Sequence, residues 1–581
     1  MNVLLKTANR RVWGMGAACV VVVFFQVWLA MLFPKYLQEV SSLLKIPGVE
    51  MNSIIPVVWR MFLCSCGVVI TGALSAALAA AWSSAQTMQT RDALFGKIVS
   101  CSPGELSSYT TSSLISRCTY DIAQLQTFLT AVPQSLVYAP LVGIGTVIVL
   151  MKQNLVWTAI TVITVVSTVA TLMYLIAKIT PKSYLIAQHT DSLSRLAMEH
   201  ISGLRMVHAY NAYDYHQDHF HRKNEEFTAA NIYINSKMSF LGPVFAFFQN
   251  IGDFAIYLTG AGMVMASAAA LKLPTFSGMI AAAYYNGQAI LTFIIVTVVL
   301  VQLPSTLASV RRISEVLSEE IKIVDGAGVG SDGTPGTLEF RNVSFRYPGS
   351  AADALHGISF TVERGTTAAI IGATGSGKTS LLNLIARLYD ASEGTVLVDG
   401  HDVRDFVLDD LRSRIGYVPQ KSLLFTGTIE GNINYGENTR FQAAIAEIRK
   451  AAEAGQAKEF IEKTPLGYQS QVEHGGMNFS GGQRQRLAIS RAICRNPEIY
   501  LFDDSFSALD LKTDRQLRAS LKQVSSGATV LIVAQRISTI RDADKIIVLD
   551  KGCVAGQGSH KELLETCPVY REIAESQSDG R

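Results

Sequence analysis

The chain has 581 residues, 49% of them hydrophobic and only 17% charged, with a formal net charge of +3. Soluble proteins carry about 25% charged residues, so much of this chain is built for apolar surroundings, and so small a net charge gives no electrostatic case for nucleic acid as a partner. The length admits two or three domains, each with its own core.

The charge deficit falls in the first half. A membrane-crossing helix needs about 20 predominantly apolar residues, and six stretches qualify, near 12–34, 54–82, 131–151, 155–178, 240–267 and 276–303. The first lacks the short apolar core and small-residue cleavage site of a leader, and reads as a retained membrane anchor. Short links (Lys35 to Asn52, Lys152 to Asn154, Leu271 to Pro274) alternate with long polar ones (Ser83 to Thr130, Ile179 to Ser239), which puts the two kinds on opposite sides. Lys6, Arg10 and Arg11 precede the first stretch, while Arg91, Lys97, Arg117, Lys182, Arg195, Arg205, Arg222 and Lys223 lie in the long links. The positive-inside rule therefore makes the N-terminus and both long links cytoplasmic. The long links keep a helical apolar period, as in L-S-R-L-A-M-E-H-I-S-G-L-R-M-V, so the helices are predicted to run well past the bilayer. Their turns, near Pro103 to Thr111 and Asn211 to His216, are either docking surfaces for a soluble domain or ordinary reversals.

Within the spans, Arg60 and Asp253 are the ionisable residues to explain. Arg60 lies near an outer end, where a long side chain snorkels to the interface. Asp253, beside Gln249 and Asn250, either lines a cavity or makes a bond between helices. Phe24, Phe25, Trp28, Phe247, Phe248, Tyr284 and Tyr285 suit a hydrophobic or amphiphilic substrate, and lipid-facing packing equally well. The eight cysteines are scattered without the spacing of a zinc site or a disulfide framework, and read as free thiols.

From Asp325 to Gly336 a run of Gly, Ser, Asp and Pro breaks the periodicity, so a membrane domain (1–320) and a linker (321–337) precede a soluble domain (338–581). There, T-A-A-I-I-G, G-T-V-L-V-D-G, E-I-Y-L-F-D-D, A-T-V-L-I-V-A and K-I-I-V-L-D alternate with helical segments, predicting an α/β sheet with helices on its faces. The run Gly372-Ala-Thr374-Gly375-Ser376-Gly377-Lys378-Thr379 fits G-x-x-x-x-G-K-[ST] between a strand and a helix. Its glycines let the backbone wrap phosphates, Lys378 reaches the β and γ phosphates of a nucleotide, and Thr379 ligates Mg²⁺. Further on, Asn478 and Phe479 lead into Ser480-Gly481-Gly482-Gln483, which opens a helix whose free N–H groups suit an anion. Ile499-Tyr-Leu-Phe-Asp503 is then an apolar strand ending in a carboxylate suited to holding Mg²⁺.

In that order, these motifs resemble the ABC transporter superfamily, and six spans ahead of the cassette resemble its exporter-fold half-transporters; the resemblance covers essentially the whole chain. It implies that Tyr347 stacks on adenine, that Gln420 in Y-V-P-Q senses Mg²⁺ and the membrane domain, and that Ser507-Ala508-Leu509-Asp510 forms the loop between paired cassettes. It also implies that ATP is sandwiched between the phosphate loop of one cassette and the signature helix of another (Asn478, Ser480, Gly481, Gly482 and Gln483 here). One chain cannot complete such a site.

Two positions depart from the family. Where it has Glu after the Walker B Asp, as general base, this chain has Asp504; where it has His against the γ-phosphate, this chain has Gln535. Aspartate is one methylene shorter, and a general base must come within about 2.6–3.2 Å of its proton. Nucleotide binding is expected to survive and hydrolysis to slow. The expectation is one subunit of a heterodimeric ATP-driven exporter in the cell membrane, with ATP and Mg²⁺ at a degenerate site and an intact S-G-G-Q offered to a second half-transporter. Alternatives are an active homodimer, an importer on the exporter architecture, or an ATP-gated conductance or regulatory subunit.

Overall fold

The computed structural model describes residues 9–578 except 45–49, 330–335, 437, 439–440, 442 and 508. Lys6, the middle of the expected linker, part of the first short link and Ala508 therefore lie outside the described residues. The chain divides into two compact units, Met1–Ile98 with Thr111–Ser318, and Val99–Thr110 with Glu319–Arg581.

The first unit is all helical: α1 (Arg10–Leu43), α2 (Met51–Ser100), α3 (Thr111–Gln153), α4 (Leu155–Ser202), α5 (Tyr213–Ser239), α6 (Leu241–Ala266) and α7 (Ala269–Leu317). Among the described residues, Arg10–Leu43, Met51–Ser100, Thr111–Gln153, Leu155–Lys182 and Leu271–Leu317 are long and apolar enough to cross a membrane. The remaining expected stretch is α6, a single 26-residue helix whose apolar character Gln249, Asn250 and Asp253 dilute. As the period of the long links predicts, α2 and α4 continue as helix for 50 and 48 residues. The link expected over Lys152 to Asn154 shrinks to the single residue Asn154, whose extended backbone stops α3 while its side chain accepts from the Val156 N–H at 2.8 Å to cap α4.

Small and polar residues bring the helices together. Cβ atoms at Gly252 and Gly260 would stand 2.6 Å from Asn286 Nδ2 and 2.5 Å from Met279 Sδ, so only glycine lets α6 approach α7 so closely. Gln134 Nε2 of α3 donates to Ser75 Oγ of α2 at 2.7 Å. Farther along, Asp121 of α3, fully buried, takes both Arg312 Nε (2.8 Å) and Arg312 Nη2 of α7, together with Ser309 Oγ (2.8 Å).

The second unit has β1 (Leu338–Phe345), β2 (Leu355–Val362), β3 (Thr367–Gly372), β4 (Glu393–Val398), β5 (His401–Asp402), β6 (Ile415–Val418), β7 (Gly427–Thr428), β8 (Gln471–Val472), β9 (Ile499–Asp503), β10 (Thr529–Val533), β11 (Lys545–Asp550) and β12 (Cys553–Gly558). A six-stranded sheet runs β12-β11-β3-β10-β9-β6, parallel except at the β12 edge. β9 and β10 are buried along their whole length, as strands covered on both faces must be. G-T-V-L-V-D-G does not join this sheet: β4 lies in a separate antiparallel sheet, β2-β1-β4-β5. Its partner β1 alternates buried and exposed positions, the pattern of a sheet wetted on one face.

Candidate nucleotide-binding site

β3 ends at Gly372, and helix α8 (Lys378–Ile385) starts six residues later. The loop between them closes on Gly377, held at φ +97°, where a Cβ would stand 2.6 Å from Leu355 Cδ2. Register β3-β10-β9 then sets Asp503, at the C-terminal end of β9, beside the start of α8. Thr379 Oγ1 donates to Asp503 Oδ2 at 3.0 Å, and Lys378 Nζ donates to the carbonyls of Gly372 (2.9 Å) and Ala373 (2.7 Å).

A cavity of about 310 Å³ opens here. Tyr347, Thr374, Gly375, Gly377, Lys378 and Thr379 line it together with Gln420, Asp503, Asp504 and Gln535. Ser376 joins through its hydroxyl, 3.4 Å from Lys378 Nζ. Ala354, Ser380 and Val533 also line it; the motifs did not single them out, although Ser380 directly follows the loop and hydrogen-bonds the Tyr347 hydroxyl at 2.8 Å.

Burial sets the electrostatics. It pushes the Asp503 carboxyl above its usual range, against the Thr379 hydrogen bond and the charge of Lys378, and it pushes the Lys378 ammonium down. Asp504, at φ +46° in the left-handed region that Asp tolerates, is likewise pushed up by burial, opposed by hydrogen bonds with Ser507 and Gln420. Gln535 Nε2 donates to its Oδ2 at 2.9 Å. The Thr379 hydroxyl and the Asp503 carboxylate are adjacent hard oxygen donors, a pair that fits Mg²⁺.

The second motif group lies elsewhere on the same unit. Ser480 caps helix α9 (Gly481–Cys494), its hydroxyl accepting from the Gln483 N–H while Gln483 Oε1 accepts from the Ser480 N–H at 2.9 Å. Asn478 bridges the Gln471 carbonyl and the Glu473 N–H. Asp510 caps helix α10 (Leu511–Val524) through the Thr513 N–H at 3.0 Å. None of these residues, Gly481 and Gly482 included, lines the cavity.

The turn that begins at Pro103 belongs to the same compact unit as the cassette. Ser102 and Glu105 form a capping box around the one-turn helix Pro103–Leu106, and Glu105 Oε1 also accepts from the Lys322 N–H at 2.6 Å. Burial pushes the Glu105 carboxyl up, yet backbone N–H groups of Lys322, Ser102 and Ile323 outweigh it and hold the group below its ordinary value. A Cβ at Gly104 would sit 3.0 Å from the Tyr389 ring, which packs edge-on against Tyr347, 5.2 Å between centroids. This capping box is not among the sequence-based expectations, although S-x-x-E is its pattern, and the pairing with Tyr389 has no local pattern.

A phosphate-loop cassette, with a carboxylate strand beside the loop and a separate S-G-G-Q helix, joined to a bundle of membrane-length helices, defines the class of an ATP-driven membrane transporter. Residues 355–507 match the ABC transporter family and residues 17–283 the ABC transporter transmembrane region. An ABC transporter ATP-binding protein of Mycobacterium tuberculosis is 36% identical over 490 residues, 84% of this chain and 83% of that one. The ATP-dependent lipid A-core flippase of Aromatoleum aromaticum is 30% identical over 503 residues, 83% of this chain and 79% of that one. Among solved structures, a bacterial Atm1-family ABC exporter with ATP bound shares the fold, with a TM-score of 0.84 and 24% identity over 98% of this chain and 99% of that one. The chain belongs to the ABC transporter family. It is an integral membrane protein with an exporter-fold helical domain and an ATP-binding cassette, in a family that couples ATP hydrolysis to transport.

Proposed function

We propose that the chain is the slow-hydrolysing half of a heterodimeric exporter that moves a hydrophobic or amphiphilic substrate out of the cell. Its membrane domain is 1–320, its linker 321–337 and its cassette 338–581, with the N-terminus and the cassette in the cytoplasm. ATP lies on the loop Gly372 to Thr379, with Tyr347 against the adenine, Lys378 on the terminal phosphates, and Thr379, Gln420 and Asp503 holding Mg²⁺. When bound, Mg²⁺ neutralises phosphate charge. The partner's S-G-G-Q closes over that ATP, while Ser480, Gly481, Gly482 and Gln483, with Asn478 and Asp510, close over the partner's. A relative's name as a lipid A-core flippase supports an amphiphilic cargo.

The observation that carries this reading is the Gln535–Asp504 hydrogen bond of 2.9 Å. A general base must offer a carboxylate oxygen to the attacking water. Here Asp504 is short, and one oxygen is already engaged by an amide that cannot take up a proton. Binding and hydrolysis therefore come apart: this site holds ATP and keeps the cassettes associated, and the partner's site turns over. The test is steady-state ATPase activity of the purified chain alone and co-purified with a half-transporter that carries Glu and His at these positions. A nearly inactive single chain and an active pair are expected. Brisk hydrolysis by the chain alone would make Asp504 a competent base and the transporter a homodimer.

A further inference from the structure

A second cavity, of about 830 Å³, lies within the membrane unit among α1, α2, α3, α6 and α7. Its size is that of a small-molecule site, about 300–1,000 Å³. Most of its lining is apolar, and among the described residues it contains one carboxylate, Asp253, and no Lys, Arg or His. Among the described residues Asp253 takes part in no ion pair. Arg60, the other ionisable residue expected in the spans, is exposed and not part of the lining.

The carboxylate is held in place by neutral partners alone. Its Oδ1 accepts from Asn286 Nδ2 at 2.9 Å, and Asn286, fully buried, in turn accepts from Thr164 Oγ1 at 3.0 Å. The glycine at 252 leaves room for that amide, since a Cβ there would collide with it. Asp253 is thus oriented but has no counter-charge among the described residues, and a carboxylate in an apolar setting is costly until an opposite charge joins it. A second acceptor on the wall, Gln288 Oε1, is buried with no hydrogen-bond partner among the described residues. Around them stand Phe33, Tyr138, Tyr257 and Tyr284, with Phe33 and Tyr284 5.2 Å apart between centroids. Aromatic faces attract cations.

We propose that this cavity binds a lipophilic monovalent organic cation, with Asp253 as its counter-ion and the aromatic and aliphatic wall taking the apolar body. That the bound cation is the cargo rests on the exporter reading; that it binds does not. An anionic headgroup meets a like charge and no cationic side chain here, so the site discriminates by sign. Acceptors without a fixed cation also distinguish it from a structural ion pair, in which the partner charge would come from the protein.

The probe is tetraphenylphosphonium, with neutral triphenylphosphine oxide as the uncharged comparison, bound to the full chain in nanodiscs without nucleotide and corrected for empty nanodiscs. The wild type is expected to bind the cation at least tenfold more tightly than the neutral compound. Asp253→Asn keeps an acceptor for Asn286 and is expected to lose at least tenfold for the cation and nothing for the neutral probe. Equal binding of both probes by the wild type, or undiminished cation binding by Asp253→Asn, overturns the proposal. If the variant loses the neutral probe too, it has misfolded, and the wild-type comparison decides. ATP-driven uptake of tetraphenylphosphonium into inside-out vesicles tests the exporter reading separately: binding without uptake sinks that reading and leaves the site standing.

Discussion

Gln535 Nε2 and Asp504 Oδ2 lie 2.9 Å apart, so the two residues proposed to slow hydrolysis are each other's partners. Restoring either alone leaves the other in its way. Asp504→Glu combined with Gln535→His is therefore expected to raise ATP turnover of the chain by about 10²- to 10⁴-fold, the worth of a positioned general base, and each single change by much less. Initial-rate phosphate release checks this, and additive single effects would count against a coupled pair.

Binding is expected to depend on other atoms. Lys378 Nζ, in hydrogen-bonding distance of the Gly372 and Ala373 carbonyls, stands at the mouth of the loop. Lys378→Ala removes a charge-assisted contact worth about 1.5–3 kcal/mol, so ATP affinity is expected to fall roughly ten- to a hundredfold. Asp504→Asn should leave affinity within about threefold. Equilibrium binding of a fluorescent ATP analogue to both variants separates the two roles.

Glu105 gives the first turn a pH signature. Its carboxyl is held below the ordinary 4.5 by the backbone N–H groups of Lys322, Ser102 and Ile323, despite burial. The folded state thus favours the ionised form, and this stability is fully present above pH 4.5 and lost as pH falls through the lowered folded value. Glu105→Gln is expected to cost about 1 kcal/mol, the worth of a capping contact, near neutral pH. The difference should vanish in acid. Thermal unfolding midpoints of both proteins across pH 3–7 check the sign.

At the far end of α3, Asp121 is fully buried while Arg312 is 45% exposed. Arg312→Ala leaves a buried carboxylate with Ser309 as its one side-chain donor among the described residues, at an expected cost of about 1–3 kcal/mol after allowing for the solvent already around the guanidinium. Asp121→Asn, which keeps an acceptor, should cost less. Urea unfolding of detergent-solubilised protein gives the comparison.

How much of this the sequence carried follows from the range of each interaction. The phosphate loop was legible because Gly372 to Thr379 is a contiguous run with its strand and helix attached, and Asp503 because it ends an apolar strand. The Asp121–Arg312 pair spans 191 positions and Asp253–Asn286 spans 33. Neither has a local pattern, so only the packing of α3 and α6 on α7 reveals them. The placement of β4 was lost for a related reason: a short apolar run looks alike in a parallel and in an antiparallel sheet, and what decides is the partner strand β1. Asp253 was read as either lining a cavity or bonding a neighbouring helix, and it does both.

The unbroken length of α2 sets a scale for motion. Fifty residues at about 1.5 Å of rise make a rod of roughly 75 Å. Tilting such a rod by about 10° about one end displaces the other by roughly 13 Å, several atomic diameters, without breaking one of its backbone hydrogen bonds. For a helix that stays rigid, a small change of tilt at one tip is therefore a large displacement at the other.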